Sequence, residues 1–179
     1  MLAPVDITGV RLETERLILR PWTWEDLEDF YAYSSIEDLG QMAGWTPHKT
    51  IDESRTILDS FIRHKKTFAI ELKETGRVIG SLGIEEPDPD PEKEMLGREI
   101  GYALHKDHWG QGLMPEAVKA VISWCFDTQH YDFLTCSHFD WNHQSKRVIE
   151  KCGFHYFSTT RSETRYDTVE NSMNYILYR

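Results

Sequence analysis

A strand that runs into two glycines one residue apart, followed at once by a helix, constrains this chain more than any other stretch. In Gly101-Tyr-Ala-Leu-His-Lys-Asp-His-Trp-Gly-Gln-Gly-Leu-Met114, Gly110 and Gly112 let consecutive backbone N–H groups turn toward one point. The positive end of the following helix dipole adds to the attraction for an anion there. A pyrophosphate fits that arrangement, although the same pattern also occurs where glycine only permits a tight turn. The loop lacks the Gly-Lys-Ser/Thr ending of a P-loop, and Pro115 stands where a dinucleotide fingerprint places its third glycine. A coenzyme with a pyrophosphate, bound on a different fold, is the better match.

Hydrophobic period places the other elements around this loop. Leu12, Leu17 and Leu19 alternate with polar residues over 10–20 and predict a strand or a bent strand pair, closed by Pro21. Thr23 as N-cap with Asp26 three residues on opens a helix carrying Leu27, Phe30, Tyr31 and Ser34. Residues 35–49 read as a short irregular or helical connection ending in Trp45-Thr-Pro47, and Ile51, Ile57, Leu58, Phe61 and Ile62 mark a second amphipathic helix from Thr50. Phe68–Lys73 and Arg77–Ile84 read as a hairpin turned at Gly76, and Arg98–Leu104 as a strand. A helix over Leu113–Phe126 keeps Pro115 in its first turn. Phe133–His138 is a strand, and Asn142 to Lys151 a short helix with Asn142 as N-cap and Gly153 just past its end. Strands over Phe154–Thr159 and Ser172–Tyr178 close one mixed α/β domain over residues 1–179.

The chain's 179 residues suffice for one well-buried domain. With 30 Asp+Glu against 20 Lys+Arg, a formal charge of -10, most of the surface repels a phosphate backbone, which argues against direct nucleic-acid binding. The charge is localised. The proline-broken loop Glu85–Glu94 carries six acids and one lysine, half the net total, whereas Lys146, Arg147 and Lys151 outweigh Glu150 on the last helix. This predicts a positive edge for a polyanionic coenzyme and a negative rim that favours a cationic amine. Cys125, Cys136 and Cys152 show no ladder of spaced pairs and read as reduced thiols of a cytoplasmic protein. Met1–Asp6 lacks a basic n-region, and no run of about 18 apolar residues suggests a membrane span.

Four pieces in order resemble the GNAT (GCN5-related) N-acetyltransferase superfamily, and within it the enzymes that acetylate ribosomal-protein N-termini. They are Leu12–Arg20, Arg98–Tyr102, His108–Met114, and Asn142-x-x-Ser145 followed by Glu150-Lys-Cys-Gly-Phe154. The resemblance implies a GNAT fold, a mixed sheet of six to seven strands splayed at the coenzyme site and flanked by about four helices. It implies acetyl-CoA as cosubstrate: Tyr102, Ala103 and Leu104 would pair through their backbone with the pantetheine arm. Trp109, Gly110, Gln111, Gly112, Leu113 and Met114 would bind the pyrophosphate. Asp107 stands where the family usually has Gln or Arg, a departure that backbone binding tolerates. Glu99 matches a strand glutamate that serves as base in related enzymes, acting directly or through a water; the alternative is a carboxylate paired with Arg98 or a neighbour. The family's helix tyrosine is replaced by Ile149, which leaves Ser145 to contact the coenzyme sulfur, unless it only helps cap its helix. Asn142 would add a hydrogen bond to the pantetheine amide to its capping role. Met42 and Trp45, in the connection that lines the acceptor site in this family, would shape the amine pocket.

The acceptor is expected to be a protein N-terminal amine, with a small-molecule amine such as an antibiotic or polyamine as the alternative. A non-catalytic acyl-CoA-binding module is a reading of a different class. The scattered His105, His108, His130, His138 and His143, with Cys136 and Cys152, lack zinc-site spacing, so no metal is expected. No Gly-x-Ser-x-Gly elbow supports a hydrolase. The family's habit of dimerising suggests a homodimer, with Asn174–Tyr178 as a strand to pair across subunits.

Overall fold

Alternating side chains on the sheet decide the layering. The computed structural model describes residues 4–179, so the first three residues of the stretch read for a leader lie outside it. Its strands are β1 (Leu12–Glu13), β2 (Leu17–Pro21), β3 (Thr67–Leu72), β4 (Arg77–Glu85), β5 (Gly97–Leu104), β6 (Phe133–Phe139), β7 (His155–Glu163) and β8 (Val169–Tyr178). The helices are α1 (Leu27–Ser34), α2 (Ile51–His64), α3 (Leu113–Ser123) and α4 (His143–Lys151). The sheet order is β1-β2-β3-β4-β5-β6-β8-β7, parallel only between β5 and β6.

On β3, Phe68, Ile70 and Leu72 enter the larger core with α3 and α4, whereas Ala69 joins the smaller core with α1 and α2. That is the two-residue period of a strand with both faces covered. The larger core holds Leu17, Leu19, Ile84, Val118 and Ile149, and the smaller Trp22, Phe30, Tyr33 and Leu58. A fully buried side chain of this size contributes about 1.5–3 kcal/mol. Among the described residues no helix is long and apolar enough to cross a membrane.

Eight strands exceed the expected six to seven, because the opening segment bends at Thr14–Arg16 into two strands. There the Thr14 N–H donates to the Leu17 carbonyl at 3.0 Å. The closing hairpin is longer than apolar alternation suggests. Its added pairs, Arg161–Asn171, Ser162–Glu170 and Glu163–Val169, are mostly polar and held by the backbone ladder. α3 stops at Ser123 and continues as a wider π-type turn over Trp124–Thr128, with the adjacent Trp124 and Cys125 both buried. β8 lies between β6 and β7, and Asn174, Tyr175 and Ile176 are paired on both sides, so only Leu177 and Tyr178 of the expected intersubunit strand lack a β7 partner; the sheet ends at β1 and β7. The acidic segment after β4 is a largely exposed loop, as its prolines dictate.

Candidate active site

β5 and β6 pair through only three positions: Gly97 with Phe133, Arg98 with Leu134 and Glu99 with Thr135. Beyond Glu99, β5 follows β4 to Leu104 while β6 follows β8 to Phe139. The strands therefore part, and a cavity of about 450 Å³ opens between them, within the range of small-ligand sites. The closed end of the wedge is pinned at Gly97, where a Cβ would stand 2.0–2.4 Å from the Phe133 ring.

One end of the cavity is the glycine loop. Gly110 and Gly112 adopt φ of 72° and 75°, a left-handed backbone that suits glycine, and both line the cavity with Trp109, Leu113 and Met114. Gly112 is the N-cap of α3. The first-turn N–H groups of that helix have no intrahelical partner and carry the positive end of its dipole. Trp109 anchors the loop by donating its indole N–H to the Leu104 carbonyl at 2.8 Å. Gln111 is turned away: its side chain donates to the Asp107 carbonyl at 3.2 Å, and it is absent from the cavity lining. Asp107 also points outward, its side chain 84% exposed.

The walls place two polar pairs on opposite faces of the sheet. Glu99 and Ser137 meet on one face, where Ser137 Oγ donates to Glu99 Oε1 at 3.2 Å. The Asp88 N–H donates to Glu99 Oε2 at 3.0 Å, tying the acidic loop to this carboxylate. Burial raises the Glu99 pKa above 4.5, aided by the Asp88 and Glu85 charges and partly offset by these two hydrogen bonds. Glu99 is thus held by Ser137 and the Asp88 N–H. On the other face, with Cys136, the Tyr102 hydroxyl lies 2.8 Å from Ser145 Oγ and 3.3 Å from the Ser145 carbonyl. With Tyr102 as donor, the Ser145 proton is free to point into the cavity. Burial pushes the Tyr102 phenol well above 10, so it stays protonated.

Asn142 caps α4 through Oδ1, which accepts from the Ser145 N–H at 3.1 Å, and its amide donates to the Met42 carbonyl at 3.2 Å. The helix ends in a Schellman motif: Gly153, at φ 88°, donates to the Glu150 carbonyl and Phe154 to that of Ile149. This fixes the phase of α4, so Asn142, Ser145, Arg147 and Lys151 line the cavity with the apolar Val148 while Ile149 is buried in the core.

Met42 lines the far end with Leu39 and Ala43. Trp45 does not. Its ring lies against Gly40, where a Cβ would come within 2.3 Å of it, and packs 5.7 Å from His48. Tyr102, Ala103 and Leu104 line the cavity on the β5 side that has no strand neighbour. Sequence reasoning gave no pocket role to the Tyr102 hydroxyl or to His108 and His138, residues that line the cavity. His138 could not be found by spacing: it is buried, with Nδ1 donating to the Phe139 carbonyl at 2.7 Å and Nε2 accepting from the Tyr175 hydroxyl at 3.3 Å. Cys136 also lines the cavity, but burial pushes its thiol far above 9, which keeps it un-ionised and a poor nucleophile. Among the described residues no group of three or more His, Cys, Asp or Glu is placed to hold a metal ion.

An open strand edge, a glycine loop at one end and Arg147 and Lys151 along one wall fit an extended ligand with an anionic head and a reactive tail beside Ser145. Comparison with known proteins identifies the family. Residues 16–155 match the family model of the acetyltransferase (GNAT) domain. The chain is 28% identical over 167 residues to YoaA of Bacillus subtilis (strain 168), described as an uncharacterized N-acetyltransferase, covering 88% of this chain and 92% of that protein. It is 26% identical over 166 residues to the [ribosomal protein uS5]-alanine N-acetyltransferase of Escherichia coli (strain K12), covering 83% and 80%. A crystal structure of a GNAT-family acetyltransferase from Bacillus anthracis superposes with a TM-score of 0.84 at 19% identity, over 94% of this chain and 98% of that one. With the split between β5 and β6 and the glycine loop both lying within the matched residues, the chain belongs to the GNAT family of N-acetyltransferases.

Proposed function

We propose that this chain moves the acetyl group of acetyl-CoA to the α-amine of a protein N-terminus by direct attack. GNAT acetyltransferases use acetyl-CoA, and when bound it supplies a thioester carbonyl open to attack by an amine. The observation that carries the reading is the split between β5 and β6, with Glu99 on one face of the sheet and the Tyr102–Ser145 pair on the other. The incoming amine and the departing sulfur are separate substituents of the reacting carbon, and this gap offers one polar group to each.

The N–H groups of the Trp109–Met114 loop would hold the pyrophosphate, and the free edge of β5 at Tyr102–Leu104 the pantetheine arm. Arg147 and Lys151 add positive charge along that path. Asn142 orients Ser145 through its cap and braces the Met42 turn at the acceptor end. Glu99 takes the proton that frees the amine from its ammonium form, and Ser145, backed by Tyr102, gives a hydrogen bond toward the sulfur position, where the second proton lost by the nitrogen ends. A protein α-amine, with pKa near 8 against about 10.4 for lysine, needs only a modest base. The E. coli relative is named for an alanine of a ribosomal protein, which supports this acceptor class. The acidic loop tied to Glu99 suits a cationic amine.

Ser145→Ala is expected to lower kcat roughly tenfold, the worth of one hydrogen bond to a developing charge, with KM for acetyl-CoA nearly unchanged. Tyr102→Phe should give a smaller fall, and the double variant no more than Ser145→Ala alone, because the phenol acts through the serine. Steady-state kinetics on the three variants checks this. Full turnover in Ser145→Ala would show that the serine only caps α4.

A further inference from the structure

The opening motif Thr14-Glu-Arg16, far in sequence from the glycine loop, reaches it in space. The Arg16 guanidinium, in the turn between β1 and β2, donates from Nη1 to the Gln111 carbonyl at 2.8 Å. It also forks onto Glu116, in the first turn of α3, with Nε and Nη2 at 2.8 and 2.7 Å from Oε2. The other Glu116 oxygen accepts from the Arg16 N–H at 2.9 Å and the Thr14 hydroxyl at 2.6 Å. Burial would raise the Glu116 pKa, but the hydrogen bonds from Thr14 and Arg16 outweigh it and hold the carboxyl below 4.5. The guanidinium charge is therefore matched locally, and its geometry is fixed by a carboxylate gripped at both oxygens.

The consequence follows from peptide planarity. In a trans peptide the carbonyl and the next N–H point opposite ways. With the Gln111 carbonyl drawn to Arg16, the Gly112 N–H is turned away from Arg16, and Gly112 lines the cavity. Arg16 Nη2 also lies 3.6 Å from where a Gly112 Cβ would stand, so the arginine backs the left-handed turn. A carbonyl facing the same cavity would repel a phosphate; tying it back removes that penalty. We propose that Arg16, held by Glu116, is a positioning residue of the pyrophosphate loop, fixing the Gln111–Gly112 peptide so that its N–H faces the coenzyme phosphate. The inference rests on the acyl-CoA reading above.

The test pairs calorimetric binding of CoA with turnover of acetyl-pantetheine, a donor that lacks the pyrophosphate and nucleotide. Arg16→Gln is expected to raise the Kd for CoA about tenfold, the loss of roughly one charge-assisted hydrogen bond, and to raise KM for acetyl-CoA more than it lowers kcat. Its kcat/KM on acetyl-pantetheine should stay within about twofold of wild type, since that donor never meets the loop. Arg16→Lys, which keeps the charge but loses the fork, should weaken CoA similarly, and guards against a folding failure of the first variant. A Kd for CoA unchanged in both variants would overturn the inference. So would a fall on acetyl-pantetheine as large as that on acetyl-CoA, because the arginine would then support the fold in general. A wild-type chain that binds no CoA would contradict the acyl-CoA reading itself, and this inference with it; wild-type binding with unaffected variants contradicts the inference alone.

Discussion

Glu99→Gln is expected to lower kcat/KM about 100-fold at neutral pH, the low end of what a positioned general base supplies. The same variant should erase the acid limb of the pH–rate profile. In the wild type the rate should fall as pH drops through the Glu99 pKa, which burial and the neighbouring Asp88 and Glu85 place above 4.5. The glutamine keeps the size of the side chain, its oxygen can still accept from the Asp88 N–H and its amide can donate to Ser137 Oγ, so the geometry in the split sheet is preserved while the proton acceptor is lost. Stability should move the other way. A carboxyl whose folded pKa is raised binds its proton more tightly in the folded state, so it favours folding below the unfolded value and loses that contribution as pH rises through the folded one. At neutral pH the charge is therefore a cost, and Glu99→Gln should leave the melting temperature unchanged or slightly higher. Kinetics from pH 5 to 9 alongside thermal melts check both halves. An unchanged profile would remove Glu99 from the role of base.

Gly97→Ala should give the largest loss of stability. The added methyl would enter the ring of Phe133, itself fully buried at the closed end of the wedge. Overpacking of this kind costs about 3 kcal/mol at the upper end of its usual range, which for a chain of this length lowers Tm by roughly 6–12 °C. Because Gly97–Phe133 is the first of only three β5–β6 pairs, relief of the clash would shift the point where the strands part. CoA affinity should then fall even at temperatures where the variant is folded. Differential scanning calorimetry and binding at 20 °C measure the two effects. A melting temperature within about 2 °C of wild type would mean that Phe133 rotates away freely and does not pin the wedge.

What the sequence made legible follows from which signals are local. Ile70 and Leu72 alternate, Asn142 precedes an apolar helical face, and Gly153 follows it, so the elements and the caps of α4 could be read directly. The glycine loop was equally plain, because left-handed backbone at positions 110 and 112 is a local demand. The polar half of the β7–β8 hairpin was not, since residues such as Arg161 and Asn171 carry no hydrophobic period and are held by backbone pairing alone. The Tyr102 hydroxyl escaped for a related reason: it acts on Ser145, 43 positions away, and only the packing of β5 against α4 brings them together. The Thr14–Arg16 motif was visible, but its contact with Glu116 and Gln111 spans about a hundred residues of chain. Trp45 shows the converse. A large aromatic in the acceptor connection invites a pocket role, yet the absent side chain of Gly40 gives its ring a seat outside the cavity.

Acetyl transfer itself tests the central claim most directly. Incubating the full chain with labelled acetyl-CoA and a panel of peptides with free N-termini, N-terminally blocked lysine peptides and small amines should label the free α-amines, with one CoA thiol released per acetyl group moved. Binding of CoA with no label on any acceptor and no thiol release would contradict it.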